Sequence, residues 1–178
     1  VKSLQGMGIQ PDIIVCRSEH PLDAKLKEKL SLFCNLPKEN VLQNLDVEIL
    51  YEAPLAMEKE HLAEAALRCL HLDCPEPNLK EWEAMISAWK NPEHKVQIAL
   101  VGKYISLHDA YISVVEALKA GGCYNRTHVE IKWVDSEMLT EENADEVLKD
   151  VSGILVPGGF GFRGIDGKLT AIRYAREH

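Results

Sequence analysis

The sequence predicts an α/β protein built on parallel sheets. Short, continuous apolar runs recur, such as DIIVC at 12–16, QIALV at 97–101 and GILV at 153–156, as expected of strands covered on both faces. Amphipathic helical stretches alternate with them, so consecutive strands run the same way through helical crossovers. Between 73 and 95 the pattern breaks, and a fresh strand-helix series begins after it.

In chain order, the first apolar run is followed by PLDAKLKEKLSLF at 21–33, which places Leu26, Leu30 and Phe33 among lysines and reads as an amphipathic helix. VLQNL at 41–45 is the next strand, and residues 61–70 form an Ala- and Leu-rich helix. DCPEP at 73–77 is a stiff polar break. Asn78 with Glu81 has the spacing of a capping box, and the helix it opens carries Trp82, Met85, Ile86 and Trp89 as a stripe suited to docking on a neighbouring domain. Asn91-Pro92 ends that helix. The second series runs through the strand at 97–101, a helix at 110–119 stopped by Gly121-Gly122, a strand at 128–134, a short helix at 141–149, the strand at 153–156 and a helix at 168–176. The expected organisation is residues 1–72, a linker with its helix at 73–95, and residues 96–178. VKSLQGMG at the start reads as the tail of a helix already under way, and the chain is expected to be an internal piece of a longer polypeptide.

Twenty Lys and Arg against 28 Asp and Glu give a net charge of −8 over 178 residues. Such a surface repels a phosphate backbone, which argues against nucleic acid as a partner. No apolar run reaches the roughly 18 to 20 residues of a bilayer span, so no membrane partner is expected. The five cysteines, Cys16, Cys34, Cys69, Cys74 and Cys123, include no C-x-x-C pair and suit a reducing, cytoplasmic setting. Cys69, His71 and Cys74 lack a second ligand pair at zinc spacing, so no metal site is expected on this chain. Cys16 and Cys34 read as small core residues.

The chemistry concentrates in VPGGFGFRG at 156–164. Gly159-x-Gly161-x-x-Gly164 has the letters of a dinucleotide fingerprint, which alone would suggest an oxidoreductase. It follows the third strand of its series rather than the first, however, and the ribose-binding acid expected about 20 residues on has no place. Two readings remain on the pattern alone. One is a nest of outward N–H groups able to hold an oxyanion. The other is a sharp strand exit that happens to need glycine.

LVPGGFGFRGIDGK at 155–168 resembles the oxyanion-hole loop of the glutaminase domain of the CTP synthases. IALVGKYISLHDAYISVVEAL at 98–118 resembles the opening of that domain. IQPDIIVCRSEHPL at 9–22 and KEKLSLFCNLP at 27–37 resemble the end of the synthetase domain. The resemblance covers essentially the whole chain. It implies the parallel-sheet end of a P-loop-type synthetase domain, a helical linker, and the first half of a flavodoxin-like glutaminase domain. It further implies amination of UTP to CTP at the expense of ATP and Mg2+, with ammonia from glutamine, GTP as allosteric activator and CTP as inhibitor. It implies a homotetramer, with filaments as a further form.

By the same resemblance, Arg17, Asp46 and Val47 correspond to adenine-binding positions of ATP. Lys29 and Phe33 correspond to the UTP/CTP site, although the amphipathic pattern of the helix reads Phe33 as core. Gly158 and Gly159 correspond to the glutamine-binding oxyanion hole. Lys103 and Phe160 correspond to GTP-linked positions, and Arg163, Gly164 and Asp166 to the segment coupling GTP to glutaminase activity. Asp166 stands where the family often has Glu. The ATP P-loop, the magnesium carboxylates and the nucleophilic Cys of the family fall outside these 178 residues, so the chain alone is expected to be inactive. A module that kept the ligand contacts without the nucleophile would instead sense nucleotides.

Overall fold

The computed structural model describes residues 1–178. The chain divides into two compact units, Val1–Ile86 and Ser87–His178. The first contains helix α1 (Lys2–Gly6), strand β1 (Ile14–Ser18), helix α2 (Ala24–Cys34), strand β2 (Val41–Leu45), and helices α3 (Ala53–Lys59) and α4 (Leu62–Leu70). Helix α5 (Lys80–Lys90) carries the chain from the first unit into the second. Then follow β3 (His94–Gly102), α6 (Ile112–Tyr124), β4 (Thr127–Asp135), α7 (Ala144–Leu148), β5 (Gly153–Leu155) and α8 (Ile165–Glu177). Every strand pairing is parallel: β1 with β2 from Ile14↔Val41 to Ser18↔Leu45, and β3 with both β4 and β5. The predicted α/β class is the observed one.

In the first unit β1 begins two residues later than expected, and its burial alternates. Val15 is 45% exposed, so the run DIIVC is covered on one face only in this two-stranded sheet. The core lies instead around β2 and the turn before it, where Leu36, Val41, Leu42 and Ala65 are buried. Asn40, also buried, is fully engaged. Its amide nitrogen donates to Asp12 O at 2.8 Å, and its Oδ1 accepts from Arg68 Nη2 at 2.7 Å. Helix α3 was not expected. It is a short segment with Pro54 in its first turn, where the missing N–H costs nothing, and it has too few residues to show a period.

Helix α2 corrects the predicted stripe. The inward positions are Lys27, Leu30, Ser31 and Cys34, spaced i, i+3, i+4 and i+7, while Leu32 and Phe33 are 76% and 69% exposed. The reading of Phe33 as core is therefore wrong. A lysine can occupy the inward stripe because Lys27 Nζ meets Glu60 Oε2 at 2.8 Å, with both side chains about four-fifths covered (23% and 20% exposed). Gln43 adds its backbone N–H to Oε2 at 3.2 Å and its side-chain amide to Oε1 at 2.8 Å. Burial pushes the Glu60 carboxyl up, but the Lys27 ammonium and the two Gln43 donors outweigh it, and the net value lies below the ordinary one. A depressed folded value adds stability that is complete above the unfolded value, about 4.3, and is lost as pH falls through the folded one. Glu60→Ala is expected to cost about 2 kcal/mol near neutral pH. The difference from the parent in thermal melting should shrink below pH 4.

In the second unit Leu100 and Val101 are wholly buried, and so is Ala99. Ala99 and Val101 point into a cluster with Val134, Leu139, Leu148 and Ala171, so α7 and α8 cover that face. Leu100 points to the opposite face by strand alternation. Double coverage is why β3 reads as an unbroken apolar run. Helix α6 does not stop at Gly121-Gly122 but runs on to Tyr124. A Cβ on Gly122 would lie 2.6 Å from both Thr127 O and Val129 Cγ2, so this glycine serves close packing of α6 on β4 rather than termination. Helix α7 is shorter than expected, five residues from Ala144. Asn78 Oδ1 accepts from Lys80 N at 3.3 Å, but Asn78 sits one position ahead of the observed cap, Leu79, because the first α-helical bond of α5 runs from Glu83 N to Leu79 O.

Strand order in the second sheet is β4-β3-β5. The chain leaves the central strand to one side, then crosses to the other. Parallel α/β sheets bind ligands beyond the carboxyl ends of their strands at such a reversal. Lys103 follows the end of β3 there, and the glycine turn follows the end of β5. No helix of the chain is long and apolar enough to cross a membrane.

Candidate functional site

The glycine turn occupies the segment between β5 and α8, and its glycines divide into two kinds. Gly161 and Gly164 have φ of 85° and 73°, which side chains other than glycine rarely adopt. Gly164 is also crowded: a Cβ there would sit 2.2 Å from Ser136 Oγ. Ser136 is itself 1% exposed, and its hydroxyl has no hydrogen-bond partner. These two glycines have a structural reason to be glycine. Gly158 and Gly159 have none, since neither lies at positive φ. A Cβ on Gly158 would meet nothing within 4 Å, and one on Gly159 would make ordinary contacts at 3.6 and 3.7 Å with Lys168 Nζ and Lys103 Cε. The strand-exit reading therefore accounts for Gly161 and Gly164 but not for the Gly158-Gly159 pair. What remains for that pair is open access to its backbone.

Two ammonium groups hold the turn. Lys103 Nζ donates to Phe160 O, and Lys168 Nζ donates to Pro157 O at 3.2 Å. In a trans peptide the carbonyl and the following N–H point opposite ways. Drawing the carbonyls of Pro157 and Phe160 onto lysines therefore turns the N–H groups of Gly158 and Gly161 away from them. Lys168 is a site residue that the sequence reading missed. Its signal was a lysine four residues past the last positive-φ glycine, on the first turn of α8 and therefore facing back over the loop.

Around this clamp lie further predicted residues. Lys103 Nζ is 5.2 Å and Arg163 Cζ 5.1 Å from the Tyr104 ring centroid, and Arg163 also pairs with Glu137 at 2.9 Å. Asp166 lies in the first turn of α8, where a carboxylate favours the helix dipole. Phe160 and Phe162 are 96% and 93% exposed, so two aromatic rings stand in solvent beside the cationic cluster. The structure thus brings together Gly158, Gly159, Phe160, Lys103, Arg163 and Lys168 at one end of the sheet.

In the first unit, Arg17 and Asp46 meet at the carboxyl ends of β1 and β2. Arg17 Nη2 is 2.5 Å from Asp46 Oδ1, and Nη1 donates to Leu45 O at 3.1 Å. Both side chains are more than half exposed, so the pair adds about 1 kcal/mol or less to stability. Its effect is to orient a planar, open guanidinium. Asp46 is not a helix N-cap, because the next helical turn starts only at Leu50. Val47 follows Asp46 on the same strand-end loop. On α2, Lys29 Nζ lies 5.9 Å from the Phe33 ring centroid, so a cation and an exposed ring share one outward face. Cys34 is buried, in keeping with a small core residue, whereas Cys16 is only half-buried, which is still enough to raise its thiol. Cys69 lies 3.5 Å from Asn40 Nδ2, and His71 ends α4 in the left-handed region.

A central strand flanked by parallel partners, with a glycine turn off the edge strand, defines a parallel α/β unit with a candidate ligand site at the carboxyl ends of its strands. Residues 106–178 match the class I glutamine amidotransferase family, and residues 1–72 match the N-terminal domain of CTP synthase. The whole chain is 54% identical to a CTP synthase of Caldanaerobacter subterraneus and 56% identical to one of Ruminiclostridium cellulolyticum, covering 33% of each. A CTP synthase of Symbiobacterium thermophilum is 55% identical over 99% of the chain and 34% of its own length. Along its entire length the chain is similar in sequence to CTP synthases, with more than half of its residues identical to those of these relatives. It spans about a third of the length of the curated relatives it matches.

Proposed function

We propose that the protein of which these residues form part aminates UTP to CTP with ammonia released from glutamine, in the cytoplasm and as a homotetramer. The observation that carries the glutaminase half of this reading is the Gly158-Gly159 pair, which is free of any steric or dihedral demand for glycine and is flanked by the Lys103 and Lys168 clamps. Attack on the glutamine amide puts negative charge on its carbonyl oxygen. Preorganised backbone N–H groups that meet this charge lower the barrier, and a missing side chain lets the substrate approach them. Lys103, Phe160, Arg163, Gly164 and Asp166 then form the GTP-responsive segment, with the exposed Phe160 ring and the cations suited to a base and its phosphates.

In the synthetase half, Arg17 with Asp46 and Val47 fits an adenine. The guanidinium is planar, open on its faces and held by a carboxylate and a carbonyl. ATP with Mg2+ supplies the phosphoryl group that activates UTP, and the metal ligands belong to other parts of the protein. Lys29 beside Phe33 fits a pyrimidine nucleotide, the cation for its phosphates and the ring for its base. CTP would inhibit by competing there.

The test is Lys29→Ala in the intact protein, with ammonia as nitrogen source. UTP KM should rise about tenfold and CTP inhibition should weaken in parallel, with kcat little changed, as for loss of uniform binding. Unchanged UTP dependence would remove Lys29 from the nucleotide site.

A further inference from the structure

Lys103 and Tyr104 supply the ammonium and the ring that hold the glycine turn, yet both lie just past the end of β3, where no strand partner fixes them. Tyr111 does. Its ring is 5% exposed, and its hydroxyl accepts from Lys103 N at 3.1 Å and Tyr104 N at 3.3 Å. Strand β3 ends on a glycine that permits this approach. A Cβ on Gly102 would lie 2.5 Å from the Tyr111 hydroxyl oxygen and 2.7 Å from Cζ. The ring is braced by Tyr104 and Trp133, at centroid distances of 6.3 and 6.4 Å, and His108 stacks on Trp133 at 4.2 Å. The loop from 103 to 111 therefore closes on itself through one buried phenol.

We infer that Tyr111 is a positioning residue for glutamine use. Its hydroxyl sets the two peptide planes after Gly102, which aims the Lys103 side chain at the Phe160 carbonyl and sets Tyr104 beneath Arg163. Lysine has four rotatable side-chain bonds, so a loosely held backbone would spread its ammonium over many positions. The ring alone cannot supply this direction, because both hydrogen bonds go to the phenolic oxygen. The inference rests on the amidotransferase reading above.

Tyr111→Phe keeps the ring and removes only the oxygen. In the intact protein, glutamine-dependent CTP formation should fall about tenfold in kcat with the glutamine KM within roughly threefold, while ammonia-dependent formation stays within about twofold of the parent. In a Lys103→Met background the same change should add little further loss, because both act through one contact. Full additivity of the two changes, no change in glutamine use, or equal losses with both nitrogen sources would each overturn the inference. Amide hydrogen exchange reads the linkage independently of chemistry: Tyr111→Phe should speed exchange at 103–105 and at 158–161 together, and faster exchange at 103–105 alone would also overturn it. A parent protein that forms no CTP from either nitrogen source would instead refute the reaction assigned above, with the exchange result still deciding the linkage.

Discussion

Gly159→Ala in the intact protein should lower glutamine-dependent CTP formation by about 10²-fold, the scale of a lost oxyanion donor, and leave ammonia-dependent formation close to the parent. The added methyl group fits the protein itself, with its nearest neighbours Lys168 Nζ and Lys103 Cε at ordinary contact distance. It does not fit a substrate carbonyl drawn onto the backbone at that point. The melting temperature should therefore stay unchanged while the activity falls. Loss of stability in step with activity would mean that the glycine is there for folding, and the oxyanion role would lose its main support.

Gly164→Ala should do the reverse. Here φ is 73°, and the methyl group would lie 2.2 Å from Ser136 Oγ and 3.5 Å from Lys103 Cβ. Left-handed backbone in a residue with a Cβ costs about 1–2 kcal/mol, and overpacking a buried site adds about 1–3 kcal/mol. Thermal unfolding of the intact protein should shift down accordingly. Adding Ser136→Gly should recover the packing part of that loss but not the dihedral part. No shift in unfolding would contradict the packing of α8 against the end of β4.

Much of the architecture was legible because burial writes itself into periodicity. The unbroken run at β3 reflects coverage on two faces, and the strand at 41–45 was read to the residue because a polar turn precedes it. Misreadings arose where tertiary pairing overrides the pattern. Lys27 could take an inward position on α2 only because Glu60, distant in sequence and itself held by Gln43, meets it there, and this turned Phe33 outward. Gly122 read as a stop because packing against β4 is invisible in a single helix. At the site, the glycine turn was conspicuous, but the sequence could not say which glycines the backbone requires. The dihedral angles and the neighbouring atoms separate Gly161 and Gly164 from Gly158 and Gly159. Lys168 and Tyr111 were missed because each acts through a backbone carbonyl or N–H, seven to eleven residues away, that carries no sequence signature.

The central claim is that the glycine turn serves nitrogen transfer from glutamine in a UTP-aminating enzyme. The most direct measurement follows UTP-to-CTP conversion by the intact protein with ATP and Mg2+, using ammonia in one reaction and glutamine with and without GTP in two others. The account predicts CTP from both nitrogen sources, with GTP stimulating only the glutamine reaction. CTP from ammonia with glutamine inert at every GTP concentration would contradict the role of the turn, and no CTP from ammonia would contradict the assignment of the synthetase half.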